Sequence, residues 1–154
     1  MPSKTATPAP NPAQMLDNQL CFSLYSASLA MTKLYKPLLE KLELTYPQYL
    51  VMLVLWESDG ASVSALGERL CLDSGTLTPL LKRLEAAGWL ARQRSLEDER
   101  RVHVWLSSQG RQLQERAAHI PGCVLAQSGL QLDELKVLNQ QLKHLRGAMQ
   151  APAI

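Results

Sequence analysis

The sequence predicts a mainly α-helical fold in which one β-hairpin interrupts a succession of helices. Three observations carry this. Leucine dominates the apolar residues and recurs at steps of three and four, the spacing of a helix face. Aromatic residues are few, with one Phe, three Trp and four Tyr, so little sheet is expected. Between Val102 and Leu106 the period changes to two, with Val102, Val104 and Leu106 alternating with His103 and Trp105. At 154 residues and 46% hydrophobic, the chain fits one domain, or one compact domain with dimerisation arms.

Residues 1–13 hold four of the nine prolines and almost no large apolar side chain, so they cannot repay the entropy of ordering and read as a disordered tail. From Asp17 an apolar series at Leu20, Leu24, Ala27, Met31, Leu34 and Leu38 defines one helix face. Pro37 is expected to break that run and open a short second helix. Thr45, before Tyr46 and Pro47, is a cap-like start for the apolar stretch Tyr49 to Trp56, which Asp59 and Gly60 close. Two short helices follow in quick succession: Val63 to Leu70 behind Ser62, and Ser74 to Ala87 behind Asp73 and stopped by Gly88. Two helices joined by so short a turn form a helix-turn-helix.

The alternating stretch is the return strand of a hairpin with residues Arg94 to Arg101 at its tip. Beyond Gly110 helical spacing returns, interrupted around Pro121 and Gly122. Leu135, Leu138, Leu142, Leu145 and Met149 then make a stripe of the kind that packs on another helix. The expected organisation is a tail at 1–13 and one domain at 14–154. Within the latter, a winged helix-turn-helix core spans about 45–108, between dimerisation helices at about 14–44 and 109–150.

Sixteen Lys and Arg against fourteen Asp and Glu give a net charge of +2, so charge placement must decide whether nucleic acid is a partner. No basic region leads into an apolar stretch at the N-terminus, and no apolar run approaches the ~18 residues that span a bilayer. A cytoplasmic location without membrane contact is the expectation. Three widely spaced cysteines without a CxxC pair indicate neither a disulfide framework nor a zinc knuckle. His103, His119 and His144 are scattered, so no metal or cofactor is expected.

Placement does favour DNA. The helix after Asp73 opens with Ser74, Gly75, Thr76 and Thr78, small polar residues that let its N-terminus approach a groove and offer hydroxyls and amides to phosphates and base edges. Leu77, Leu80, Leu81 and Leu84 turn inward, leaving Lys82 and Arg83 to reach the backbone. In the hairpin, Arg92, Arg94, Arg100 and Arg101 are interleaved with a run of Glu97, Asp98 and Glu99. By composition alone, such a hairpin is a solvated turn.

This order of elements resembles the MarR family of winged-helix regulators. LDSGTLTPLLKRLEAAGWL, Leu72 to Leu90, followed by RQRSLEDERRVHVWLSSQG, Arg92 to Gly110, is similar to its organic-hydroperoxide-sensing branch, the OhrR proteins of two-cysteine type, and the resemblance runs from Asp17 to Met149. It implies a homodimeric repressor on a pseudo-palindromic double-stranded operator, with two recognition helices in successive major grooves. It also implies that Arg94, Arg100 and Arg101 serve the wing at the minor groove, oriented by Asp98.

A cysteine near a helix start is, by residue type alone, an inert small hydrophobe. The resemblance implies more for Cys21. It makes Cys21 the peroxide-reactive residue, with Tyr35 and Tyr46 arriving from the facing subunit to hydrogen-bond its sulfur and Tyr25 one turn away. Only a thiolate attacks a peroxide, and an ordinary thiol of pKa ~8.5 is only a few per cent ionised at neutral pH. Phenol donors to the anion, worth ~1.5–3 kcal/mol each, enlarge that fraction. In two-cysteine relatives the sulfenic acid condenses with a cysteine in the C-terminal region of the other subunit, here Cys123. Cys71, at the tight turn before the recognition helix, reads as a packed small residue. Two rivals stay open: a MarR-type repressor released by a small phenolic or aromatic acid, and, from another class, a thiol peroxidase that turns over.

Overall fold

The computed structural model describes residues 6–151, so residues 1–5 of the expected tail lie outside it. Residues 6–11 are exposed and without regular structure; Pro12–Gln14 and Leu16–Asn18 form two short 3-10 turns, the first capped by Asn11.

Helix α1, Leu20–Glu40, runs unbroken through Pro37, and this corrects the expected break. Proline deletes one backbone hydrogen bond, here to the carbonyl of Lys33, in a helix that ends only a turn later. Leu38 and Leu39, the latter 2% exposed, hold that last turn against the core. The chain then reverses through Glu43 at φ 56°, where Leu44 N–H donates to Leu39 O at 3.1 Å. Thr45 and Gln48 form a full capping box at the start of α2, Tyr46–Glu57. Its Tyr49, Val51, Met52, Val54 and Leu55 are buried, which makes it the central helix of the core.

Helix α3, Val63–Leu70, is capped by Ser62, and α4, Ser74–Ala86, by Asp73. The turn between them is tight: a Cβ at Gly67 would come within 2.8 Å of Leu72 O. Leu66, Leu77, Leu81 and Leu84 knit the pair to α2. Gly88, at φ 86°, ends α4 and feeds an antiparallel hairpin, the wing, of β1, Leu90–Arg94, and β2, Val102–Leu106. The ladder runs from Leu90↔Leu106 to Arg94↔Val102, so Arg94 is its last paired residue and the tip is residues 95–101, one residue shorter than expected.

Asp59 ties the wing's base to the core. Its carboxylate accepts Leu106 N–H at 2.8 Å and Arg111 Nη2 at 3.2 Å. Nearby, Trp56 Nε1 donates to Gly110 O at 2.9 Å, and Val104 N–H donates to Ala61 O beside a Ser62↔His103 bridge. Helices α5, Ser108–Ala117, and α6, Ile120–Ser128, follow; the interruption falls at Ala118 and His119, and Pro121 sits in the first turn of α6. Helix α7, Leu132–Gln150, buries none of its residues. Its stripe is largely uncovered, with Leu138 44%, Leu142 38% and Met149 67% exposed and Leu135 and Leu145 half-buried. The N-terminal half of α1 likewise exposes Leu20, Phe22, Tyr25 and Leu29.

Candidate nucleic-acid interface and thiol site

Helix α4 stands on the surface as expected, its leucines inward and Ser74, Gly75, Thr76, Lys82 and Arg83 exposed; Thr78 is half-buried. The Asp73 carboxylate accepts Thr76 N–H at 2.8 Å, and that bond holds it below the usual carboxylate range. Pro79 lies within the helix and leaves the carbonyl of Gly75 without its usual donor.

A cleft of about 840 Å³ separates α3 and α4 from the wing. Ser74 and Thr78 line one side, and Arg92, Arg100 and Arg101 the other. At the wing's tip Ser95 N–H donates to Arg101 O at 2.8 Å, and Ser95 Oγ accepts the N–H groups of Glu97 and Asp98. Asp98 Oδ1 accepts both the backbone N–H of Arg100, at 3.0 Å, and its Nε, at 3.4 Å. A hydrogen-bonded turn thus offers an Arg100 side chain that is 93% exposed. Arg94 continues the Leu90–Arg92 row of β1 and is exposed at the ladder's end. The arrangement is a cationic wing facing the hydroxyls of Ser74 and Thr78 across a cleft that Leu77, Leu81 and Glu68 also line. With Lys82 and Arg83 exposed elsewhere on α4, the spacing suits phosphate backbones on either side of a groove.

Cys71 corrects the reading of a packed residue. It adopts the left-handed conformation at φ 56° as the cap of α3, and it is exposed at the edge of the same cleft. The tight turn that makes it look packed in sequence is what turns its side chain outward.

All three cysteines are unpaired thiols. Cys21 is exposed in the first turn of α1, and Tyr25, one turn on, is 62% exposed. Tyr35 and Tyr46 are brought together, ring centroids 4.9 Å apart, half-buried where α1 meets α2. Burial pushes the Tyr35 phenol up to about 12, with Tyr46 and Tyr49 adding to the rise, and burial raises Tyr46 as well. Both stay protonated donors at neutral pH. Cys21, however, stands fourteen residues up the same helix from Tyr35, roughly 21 Å at about 1.5 Å per residue, far beyond a tyrosine's reach. Within one chain the thiol and the phenol pair are not joined. Cys123 lies half-buried on α6, which packs on α1. Among the described residues, no group of three or more His, Cys, Asp or Glu is placed to hold a metal, and no helix is long and apolar enough to cross a membrane.

Sequence reasoning read Asp59 only as a helix stop and missed Glu85, and both organise this surface. Asp59 and Glu85 both accept hydrogen bonds from the wing, at Leu106 N and Arg92 N. Neither lies on a periodic pattern; each acts across a turn.

The comparisons with known proteins agree with this geometry. A family description, transcriptional regulator SarA/Rot, matches residues 33–117, more than half of the chain. The chain is 56% identical over 124 residues to the organic hydroperoxide resistance transcriptional regulator of Bacillus subtilis, covering 79% of this chain and 84% of that protein. It is 50% identical over 140 residues to the HTH-type transcriptional regulator TtmR of Methylorubrum extorquens, covering 91% of this chain and 72% of that one. Among solved structures, AbfR of Staphylococcus epidermidis superposes with a TM-score of 0.74 at 38% identity, covering 88% of this chain and 95% of that one. AbfR has also been solved in its reduced form bound to DNA and, at a TM-score of 0.60 to this chain, in a disulfide form. On this evidence the chain belongs to the SarA/Rot group of MarR-type winged-helix transcriptional regulators.

Proposed function

We propose that this regulator is a homodimeric repressor that holds operator DNA while reduced and releases it when an organic hydroperoxide oxidises Cys21. The observation that carries the reading is the separation of Cys21 from the Tyr35–Tyr46 pair by most of α1. Two copies packed with their α1 helices antiparallel bring the partner subunit's tyrosines to Cys21, and the bare faces of α1 and α7 supply the apolar surface for that packing. The 56% identity to a regulator named for organic hydroperoxide resistance, and a relative solved both on DNA and as a disulfide, support the same chemistry.

The Cys21 thiolate attacks the distal peroxide oxygen. The O–O bond breaks, and the alkoxide takes a proton and leaves as alcohol, giving a sulfenic acid. The partner subunit's Cys123 then displaces hydroxide from that sulfur, and a disulfide and water result. A covalent tie between the N-terminal end of α1 and the partner subunit's α6 shifts the arms that carry the two winged cores, so the two recognition helices no longer match successive major grooves. In the DNA-bound state Ser74, Gly75, Thr76, Thr78, Lys82 and Arg83 face the major groove and Arg94, Arg100 and Arg101 the minor, with Asp98 orienting the wing.

Non-reducing electrophoresis with intact-mass analysis tests the sequence of steps. After an equimolar dose of cumene hydroperoxide, a covalent dimer should form that needs both Cys21 and Cys123. Cys123→Ser should instead stop at the sulfenic acid, over-oxidise or pair with a small thiol. A covalent dimer that survives Cys123→Ser and vanishes in Cys71→Ser would move the second thiol to the cleft.

A further inference from the structure

Glu85, in the last turn of α4, and Arg92, in the middle of β1, make the hydrogen bonds that join α4 to the wing strands among the described residues. Oε2 of Glu85 accepts the backbone N–H of Arg92 at 2.8 Å, and Oε1 accepts its Nη2 at 3.2 Å. The register explains why that N–H is available. Val104 N–H is spent on Ala61 O, so the Arg92↔Val104 pair exchanges no cross-strand hydrogen bonds and Arg92 N–H points out from the hairpin's edge. The carboxylate caps an edge that would otherwise face water. The contact is semi-enclosed, with the two side chains 28% and 37% exposed, and Arg92 itself lines the cleft between α4 and the wing.

A two-stranded hairpin has little stability of its own, and its orientation is set by what holds its base. Asp59 and Ala61 hold β2 to the α2–α3 segment, and Glu85 holds β1 to α4. Arg92 is followed two residues later by Arg94, the last residue of the ladder, after which the tip begins. The Glu85 contact therefore fixes the point from which the wing's cations extend.

We propose that Glu85 is a positioning residue for DNA recognition: by clamping Arg92 it sets the spacing between α4 and the wing, so that both engage adjacent grooves of one duplex. This rests on the reading of α4 and the wing as the DNA-contacting surface. The proposal runs against simple charge arithmetic, because removing a carboxylate beside a DNA-binding cleft should by itself strengthen binding. The Glu85 carboxyl is also held below the usual range by its hydrogen bonds from Arg92, so the clamp is charged at neutral pH.

The test is a double-mutant cycle on reduced full-length protein, with a duplex selected from a randomised library by the wild type. Glu85→Ala should lower affinity roughly tenfold and flatten the log-log salt slope about as much as Arg94→Ala does, by about 0.9 for each of the two wings of the dimer. Adding Glu85→Ala to Arg94→Ala should change affinity far less than Glu85→Ala does alone, because the clamp acts through the wing. Independent, multiplying losses would overturn the proposal, as would unchanged or tighter binding by Glu85→Ala. If Arg94→Ala binds like the wild type, the wing reading itself fails, and the clamp fails with it. Should Glu85→Ala not fold, Glu85→Gln, which keeps an acceptor for Arg92 N–H, enters the same cycle with a smaller loss expected and the same result overturning it.

Discussion

Tyr35 and Tyr46 face each other with ring centroids 4.9 Å apart and planes tilted by 46°, one on α1 and the other opening α2. Neither phenol makes a hydrogen bond to another protein group among the described residues, so both hydroxyls are available to an acceptor from outside the chain. If that acceptor is the partner subunit's Cys21 thiolate, Tyr35→Phe and Tyr46→Phe each remove one donor while keeping almost the same apolar volume. Loss of a charge-assisted bond worth ~1.5–3 kcal/mol should slow oxidation at neutral pH by roughly tenfold or more, with DNA affinity of the reduced protein unchanged. Stopped-flow oxidation by cumene hydroperoxide reads the rate. Wild-type rates in both variants would remove the tyrosines from the mechanism.

The same burial has a consequence at high pH. Tyr35 keeps its proton up to about 12 in the folded protein, whereas the unfolded chain releases it near 10. Between those values the unfolded state binds fewer protons, so stability present below pH 10 is lost as pH rises through about 12. Denaturant titrations across this range should show a steeper decline for the wild type than for Tyr35→Phe. Parallel declines would contradict the assignment.

At the wing, Arg94→Ala should weaken binding to a selected duplex and flatten its salt dependence by about 0.9 in the log-log slope for each of the dimer's two wings. Asp98→Ala should weaken binding with a smaller change in slope, because it releases the orientation of Arg100 without removing a cation. Fluorescence anisotropy over a salt series distinguishes the two. Equal slopes for Arg94→Ala and the wild type would take the wing off the DNA.

Gly110 has no room for a side chain. A Cβ there would collide with the Trp89 carbonyl oxygen, and Gly110 O is also the acceptor for Trp56 Nε1. Gly110→Ala should cost ~1–3 kcal/mol by forcing the wing's base away from α5. A thermal melt checks this, and an unchanged Tm would show that the turn yields without penalty.

Much of this was legible in the chain itself. Thr45, Ser62 and Asp73 announce helix starts because capping is local chemistry, and the switch from a period of three and four to a period of two marks the wing. Pro37 misled, since its cost depends on how much helix follows it and on how firmly Leu38 and Leu39 hold the last turn. Cys71 misled for a related reason, because a left-handed cap decides which way a side chain points and spacing does not encode φ. The distance between Cys21 and Tyr35 follows from helix rise once α1 is known to be continuous. The proposed link between them through a second copy is beyond what one chain's periodicity can supply. Glu85 and Arg92 meet across a glycine turn, where no repeat relates them.

The central claim is that oxidation of Cys21 releases DNA, and anisotropy of a labelled, library-selected duplex during titration with cumene hydroperoxide tests it most directly. Wild-type protein should lose the duplex by an equimolar dose per subunit and regain it on treatment with dithiothreitol, while Cys21→Ser binds the duplex and keeps it throughout. Release from Cys21→Ser at the wild-type dose would contradict the account.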